Sequence, residues 1–360
     1  MPLFMDYHQF DNVTIEEVKT AHIADLKIQD EYGVKYHQFW VNEEAGSVFC
    51  LIEGPDKETC ELVHRLAHGV TACSITEIQQ GFYKLAMGNT VQSQGGVATF
   101  TTGEVDIAYR SILVVSIRAL TSARDSNDVR SLLLPIWAKN IVMEKFRDFG
   151  GRGIEWGDDD SLIAIFNDAK DAYNCANSIQ KELCANSEMK PKIIYKMGLS
   201  AGQPVTEHGD FFDKVLKLSS RLCNAALDNQ LLVSALIAKL AKIDTYIPSW
   251  QNRVVVPAEE RLLSDIFNIT ESRLSDLNLG ITNLCESIGI SRPQFYRKIT
   301  AITGRSPVYF LRDIRLEKAR TLLQQKTGNV TQVAMEVGYS NPSYFTKCYT
   351  EKFGCLPSLH

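Results

Sequence analysis

The 360-residue sequence lacks the features of an exported or membrane-anchored protein. Its longest uncharged apolar runs, residues 111–117 and 231–238, are far shorter than the roughly 18 residues that a membrane helix needs. The first residues, MPLFMDYHQFD, contain no basic segment followed by an apolar one, so they do not form a signal peptide. None of the nine cysteines belongs to a C-x-x-C pair, which indicates reduced thiols rather than a disulfide framework. We therefore expect a cytoplasmic protein with no membrane partner.

The composition is that of a folded, multidomain protein with an uneven charge distribution. Hydrophobic residues make up 45% and charged residues 22% of a chain long enough for two or three domains. The net charge is −5, yet residues 278–360 contain 11 basic and 5 acidic residues. Basic charge is thus concentrated in the last quarter, where an anionic partner is favoured.

Periodicity divides the chain into three regions and predicts a multidomain α+β protein. Residues 1–82 follow a βαββαβ order, which is typical of a ferredoxin-like domain. Residues 83–108 have the composition of a linker, and residues 109–245 alternate strands and helices as a central α/β domain. A second, proline-punctuated linker is predicted at 246–258, followed by an all-helical domain at 259–360.

The helical region contains an internal repeat that is typical of a double helix-turn-helix. GISRPQFYRKITAITG (289–304) and GYSNPSYFTKCYTEKFG (338–354) each follow an apolar helix that ends at the glycine. The spacing places Phe295 with Ile299, and Phe345 with Tyr349, in the core. The outward-facing residues have side chains that suit phosphates and base edges. These candidate DNA-binding residues are Arg292, Gln294, Tyr296, Arg297, Asn341, Ser343, Tyr344 and Lys347.

The same region resembles the AraC/XylS family of bacterial transcription regulators over about 100 residues from Glu259 onward. The stretches that carry the resemblance are SRPQFYRKITAITGRSPVYFLRDIRLEKARTLL and VTQVAMEVGYSNPSYFTKCYTEKFGCLPS. The resemblance implies two helix-turn-helix subdomains joined by a helix around residues 307–323. Their recognition helices are then expected in successive major grooves of double-stranded DNA, about 34 Å apart.

The central region resembles the class III adenylate/guanylate cyclase homology domain, carried by ILVVSIRALTS, GDDDSLIAIF and YKMGLSAGQPV with the helix that follows. In that family two carboxylates hold two metal ions. The resemblance implies that the first carboxylate position is Ser116 and the second Asp160, with Asp158 and Asp159 as alternative registers. The family's asparagine and arginine fall on Lys217 and Arg221, and its purine-selecting lysine near Trp156.

These departures predict a domain that is not an enzyme and that holds a homodimer, because members of the family build their sites across a two-fold interface. Two alternatives stay open at this point. The domain could retain a nucleotide pocket that senses without converting, or it could be a residually active cyclase. Arg221 is equally well interpreted as a structural arginine.

Five of the seven histidines lie within the first 68 residues, which raises the question of a metal site there. His64 and His68 are one helical turn apart, as metal ligands often are, and His22 and Cys50 are further candidates. Either His8 or His37, both on predicted strands, could complete the site. The alternative is that the histidine pair is a polar helix face and that Cys50 is a core residue.

The first 80 residues also resemble a small nickel-binding, ferredoxin-like family. The segments that carry this resemblance are MPLFMDYHQF, AHIADL, YGVKYHQFWVNEEAGSVFCLIEGPD and VHRLAHG. It implies nickel as the ligand, although imidazoles also suit zinc and copper. Taken together, the sequence predicts a transcription regulator that senses a transition metal at its N-terminal domain and binds DNA at its C-terminal domain.

Overall fold

The computed structural model describes residues 1–88, 91–92, 95–119, 129–156, 161–185, 193–243 and 251–359; at 91–92, 119, 129–132 and 156 only the backbone is described. The chain divides into two compact units, residues 1–111 with 201–216, and residues 112–200 with 217–360. In the described ranges no helix is both long and apolar enough to cross a membrane.

The first unit is built on a four-stranded antiparallel sheet that confirms the βαββαβ prediction. Its elements are β1 (Leu3–Gln9), α1 (Ile15–Ile28), β2 (Lys35–Asn42), β3 (Ser47–Glu53), α2 (Lys57–His68) and β4 (Ser74–Ile78). The strand order is β2-β3-β1-β4, the ferredoxin-like arrangement. Thr14 and Glu17 form a capping box at the start of α1, and Asp56 caps α2, which ends at Gly69.

The segment predicted as the first linker, 83–108, is instead packed onto this sheet. It contains α3 (Gln80–Met87), β5 (Val91–Gln92) and β6 (Ala98–Thr99). Arg110, which is fully buried, binds Asp106 at 2.7 Å and donates to the carbonyl oxygens of Ala86 and Met87. Trp40 Nε1 donates to the same Asp106 carboxylate at 2.9 Å. The polar composition of this segment suggested a linker. Its Asp106 instead forms a buried ion pair with Arg110, and both residues hydrogen-bond to other parts of the domain.

The central α/β domain forms a six-stranded sheet in the order β12-β11-β10-β7-β9-β8. Its strands are β7 (Arg110–Ala119), β8 (Arg152–Trp156), β9 (Ser161–Phe166), β10 (Ile193–Gly202), β11 (Gln230–Ser234) and β12 (Asn252–Val255). Its helices are α4 (Val129–Asp148), α5 (Ala169–Ala185), α6 (Asp213–Ala225) and α7 (Ala235–Leu240). The predicted α/β alternation is confirmed, with β8, α7 and β12 as additional elements.

The second predicted linker, 246–258, is corrected for residues 252–255, which form strand β12. This strand pairs in parallel with β11, placing Val254 opposite Val233. The β-branched run VVV favours a strand, and the proline that suggested a linker is the first residue of the next helix. The central sheet therefore continues directly into the helical domain.

The C-terminal domain has six helices: α8 (Pro257–Ser272), α9 (Ile281–Ile288), α10 (Arg292–Thr303), α11 (Pro307–Gln324), α12 (Val330–Glu336) and α13 (Pro342–Phe353). The pairs predicted to face the core, Phe295 with Ile299 and Phe345 with Tyr349, are all buried. Helices α9 and α10 share a core with α8 and with residues of the central domain, whereas α12 and α13 pack in a separate core against α11. The structure therefore confirms the predicted all-helical domain with two helix-turn-helix units.

The buried ion pair provides the first testable prediction. Asp106→Ala leaves the fully buried guanidinium of Arg110 without its carboxylate, so we expect the free energy of unfolding to fall by about 3–5 kcal/mol. Urea denaturation followed by circular dichroism measures the change. Glu16→Ala, which breaks an exposed pair with Lys19, is the control and should leave stability unchanged. Equal, small effects of both substitutions would show that residues 106–110 do not anchor the segment.

Candidate functional site

A cluster of ligand-type side chains lies between the sheet and the two main helices of the ferredoxin-like fold. Asp6, His8, Cys50 and His64 each offer a donor atom, and these atoms lie within 4.8 Å of one another. All four side chains are buried. Strands β1 and β3 supply the first three, and helix α2 supplies His64. We call these four residues the Asp6 cluster.

His64 connects this cluster to a second group of ligand-type residues. Its Nε2 lies 2.5 Å from Asp6 Oδ2, and its Nδ1 lies 3.2 Å from Asp25 Oδ1 and 3.1 Å from His68 Nε2. The donor atoms of Asp25, His64 and His68 also lie within 4.8 Å of one another. Five of the six residues in the two groups line one cavity of about 270 Å³, with apolar walls that include Val18. The sixth, Asp6, lies behind the cavity wall and contacts it through His64.

The charges of this site are set by its buried carboxylates. Burial opposes a positive charge on His64, but the hydrogen bonds to Asp25 and Asp6 outweigh it and raise the pKa of His64 to about 10. Burial alone would raise the pKa of Asp6, yet the neighbouring His8 and His64 hold it well below its usual value. The Asp6 and Asp25 carboxylates thus both face the His64 imidazolium.

Two members of the site, His22 and Cys50, are shifted toward their neutral forms. Burial lowers the pKa of His22, which lines the same cavity. Burial also raises the pKa of the Cys50 thiol well above its usual value, so without a metal the sulfur is protonated. A metal ligand must lose its proton, so Cys50 would act as a ligand only as a thiolate formed on binding.

Several buried nitrogen atoms at the site make no hydrogen bond within the described ranges. They are Nδ1 of His8 and both ring nitrogens of His22. A buried polar atom without a partner is costly, which is why such atoms commonly bind water or an ion. With imidazoles, carboxylates and a thiol in one cavity, the residues present fit a transition-metal ion such as nickel.

The structure brings together all four residues predicted as metal ligands. His64, His68, His22 and Cys50 line the one cavity. Of the two histidines left open, His8 belongs to the site, whereas His37 lies outside the cavity, 3.3 Å from Glu53. Sequence reasoning missed Asp6 and Asp25. Both are buried, which is rare for an aspartate unless its carboxylate has a partner. Their positions near predicted histidines of the same elements, two residues before His8 and three after His22, were the available signal.

The candidate DNA-binding face is formed by exposed residues of α10 and α13. Arg292, Gln294, Tyr296 and Arg297 are exposed on α10, and Ser343, Tyr344 and Lys347 are exposed on α13. Each helix begins with a proline in its first turn and ends at a glycine with a left-handed backbone, Gly304 or Gly354. The arrangement leaves polar and basic side chains of both second helices available to a partner.

Asn341 has a structural role that the sequence did not reveal. Its side-chain oxygen accepts hydrogen bonds from the backbone nitrogens of Ser343, at 2.9 Å, and Tyr344, at 3.1 Å, and so caps helix α13. The turn before it needs Gly338, whose φ is 81° and whose added Cβ would lie 2.7 Å from the Leu274 carbonyl oxygen. Asn341 therefore fixes the start of the second recognition helix.

Of the predicted cyclase positions in the central domain, the structure describes the side chains of Ser116, Lys217 and Arg221. Ser116 lies on β7, Lys217 is exposed on α6, and Asp158, Asp159 and Asp160 lie outside the described residues, as does the side chain of Trp156. Arg221 is buried and donates to Asn268 Oδ1 at 2.6 Å and Glu271 Oε2 at 3.2 Å, both on α8. The structural interpretation of Arg221 is thus the one that its contacts support.

Two family models match this chain, one at each end. Residues 284–359 match a helix-turn-helix domain family, and residues 4–78 match the family described as nickel responsive protein SCO4226-like. The resemblances predicted for the C-terminal and N-terminal domains are thereby confirmed.

Curated relatives match the chain over part of its length. It is 31% identical over 172 residues to histidine kinase P4 of Formosa agariphila, covering 48% of this chain and 12% of the kinase. It is 33% identical over 98 residues to the HTH-type transcriptional regulator CdhR of Pseudomonas aeruginosa, covering 27% of this chain and 28% of CdhR. The chain thus spans less than a third of the length of either relative.

Solved structures resemble single domains of the chain. SCO4226 from Streptomyces coelicolor is 35% identical, and the match covers 21% of this chain and 94% of that protein with a TM-score of 0.20. An adenylate/guanylate cyclase/hydrolase from Silicibacter pomeroyi is 22% identical, and the match covers 37% of this chain and 80% of that protein with a TM-score of 0.32. At this similarity the neighbour carries no argument about activity.

The geometry of the cavity predicts which histidines bind metal. His64→Ala combined with His68→Ala removes two imidazoles from the site, so we expect nickel affinity to fall by at least about 10-fold. Isothermal titration calorimetry of the metal-stripped chain measures the affinity. His37→Ala is the matched control, since His37 lies outside the cavity, and it should bind nickel as the wild type does. Unchanged affinity in the double variant would contradict the assignment.

Proposed function

We propose that this protein is a cytoplasmic DNA-binding transcription regulator of AraC type whose signal is nickel or a similar transition-metal ion. The ligands of the metal in the N-terminal domain come from a set that comprises His64, His68, His22 and Cys50 and the newly recognised Asp6, Asp25 and His8. The DNA is contacted by α10 and α13. CdhR, one of the relatives described above, is an HTH-type transcriptional regulator, which supports the DNA-binding half of the proposal.

The convergence of imidazoles and buried carboxylates in one cavity is the observation that carries the sensing half. His64 lies between the Asp6 and Asp25 carboxylates, so a metal ion that displaces its proton would keep a positive charge between them. A divalent ion would supply more positive charge to the same carboxylates and would use the ring nitrogens that have no partner in the described ranges. The match to a nickel-responsive family agrees with this chemistry.

The DNA-binding residues are proposed in two groups. Arg292, Arg297 and Lys347 carry positive charge and suit phosphates or guanine edges. Gln294, Tyr296, Ser343 and Tyr344 are exposed beside them and suit bases or sugar-phosphate oxygens. Asn341 acts through the helix cap rather than by direct readout.

Metal binding can change DNA affinity only if the metal binds two arrangements of the protein with different affinities. We propose that the metal changes the relative placement of the DNA-binding domains in a homodimer. The central domain is proposed to serve this assembly without catalysis, since a serine at position 116 cannot hold a metal ion as a carboxylate does.

Nickel-dependent DNA binding tests the regulator proposal. Fluorescence anisotropy of the metal-stripped chain on DNA from its own upstream region, at a fixed ionic strength of about 150 mM, should show sequence-preferring binding that shifts with nickel. His64→Ala with His68→Ala should remove the shift and keep basal binding. Arg297→Ala should weaken binding by about 1–3 kcal/mol, with Lys170→Ala, on the exposed face of α5, as its control. DNA binding indifferent to nickel in the wild type would contradict the sensing role.

The absence of turnover is tested separately. We expect no cyclic nucleotide from the full chain incubated with ATP or GTP and manganese, because the first metal-binding carboxylate of the cyclase family is replaced by Ser116. A chromatographic product assay measures this, with an active cyclase as the positive control. Cyclic product from the wild type that disappears on Arg221→Ala would overturn the non-enzymatic assignment.

A further inference from the structure

The second unit contains a cavity that none of the functions above uses. Its volume is about 440 Å³, within the range of small-molecule sites. The central domain forms one side with Ser116 and Ser161, from strands adjacent in the sheet, and Ser220 from α6. The DNA-binding domain forms the other side through residues of α8 and α11. We call this space the interdomain cavity.

The two sides are held together by a continuous core and by specific hydrogen bonds. Leu222 and Leu232 of the central domain belong to the same buried cluster as Leu263 and Phe310 of the helical domain. Arg221 bonds to α8 as described, and Arg305 Nη2 donates to the Ala226 carbonyl oxygen at 2.5 Å. The cavity therefore lies at a packed interface between the central and helical domains.

The lining has a distinct chemistry. Phe267, Ile314 and Ile163 give it an apolar wall, and the three serines give it hydroxyl groups that can donate or accept hydrogen bonds. Cys223 also lines it, but its sulfur donates to the Lys196 carbonyl oxygen. The lining thus combines one apolar wall with a larger set of polar and charged side chains, which include Arg320 and Thr321.

The charges at the cavity favour an anion. Its two acids are already ion-paired, Glu271 with Arg221 at 3.2 Å and Glu317 with Lys352 at 2.9 Å. Lys318 also lines the cavity, is exposed, and makes no ion pair with any residue in the described ranges. A negatively charged group beside Lys318 would thus meet a cation that has no carboxylate of its own.

We propose that the interdomain cavity binds a small organic anion with an apolar body. The anionic group lies at Lys318, the apolar body lies against Phe267 and Ile314, and the serines donate hydrogen bonds. The ligand contacts both domains at once, so it stabilises their association and fixes the DNA-binding domain on the central domain. This proposal rests on the regulator function only for the biological effect of the ligand, since binding itself does not require DNA.

The probe for this site is anilinonaphthalene sulfonate, an aromatic anion whose fluorescence rises on burial. Ser220→Trp places a large side chain in the cavity. In a stoichiometric titration of the full chain, we expect this variant to bind one molecule of the probe fewer per chain than the wild type. Ser272→Trp, at an exposed position at the end of α8, is the control and should bind as many equivalents as the wild type. Counting equivalents separates this cavity from the N-terminal cavity, because neither substitution changes the residues that line the latter.

A second variant keeps the test valid if Ser220→Trp fails to fold. Lys318→Glu is a surface substitution that should weaken the affinity of the same equivalent by at least about 5-fold, whereas Lys170→Glu should not change it. Equal stoichiometry in Ser220→Trp and Ser272→Trp with no effect of Lys318→Glu would overturn the proposal, as would a wild type that binds no probe. Loss of nickel response in DNA binding would leave this result unaffected, so failure of the regulator proposal is distinguishable.

Discussion

The buried carboxylate of Asp6 is the constraint on which the N-terminal domain depends. It accepts a hydrogen bond from the Cys50 backbone nitrogen at 2.6 Å, lies 2.5 Å from His64 Nε2, and lies 3.2 Å from His8 Nε2. A charged group with no exposed surface is stable only when it is paired in this way. These contacts orient two imidazoles and the strand that carries the thiol. The hydrogen bonds that the buried Asp6 carboxylate requires therefore position the residues of the candidate metal site.

The second constraint is the shared core of the central and DNA-binding domains. Strand β12 adds to the central sheet and leads within two residues into α8, so the chain provides no flexible connection at this point. Arg221, which the cyclase resemblance would place in catalysis, instead binds α8. In the second unit Arg221 thus connects α6 to α8 of the helical domain, and the interdomain cavity lies beside that contact.

Much of the fold was predictable from periodicity, and much of the site from spacing. The βαββαβ order, the helix-turn-helix repeat and the buried pair Phe345 with Tyr349 follow from local pattern, which the packing did not override. His64 and His68 were found because one helical turn separates them. Asp6 and Asp25 were not found, because their importance comes from burial against residues distant in sequence, which spacing cannot show. Residues 83–108 and 252–255 were misjudged for the same reason, since Arg110 and the partner strand of β12 lie outside those segments.

The central claim is that the metal is bound at the Asp6 cluster and its His68 neighbour. Anomalous diffraction at the nickel absorption edge, from crystals of the nickel-loaded full chain, tests it most directly. The account predicts a peak within coordination distance of His64 and at least two more of Asp6, His8, Cys50, Asp25, His68 and His22. A peak elsewhere in the chain, with this cavity empty of anomalous density, would contradict it.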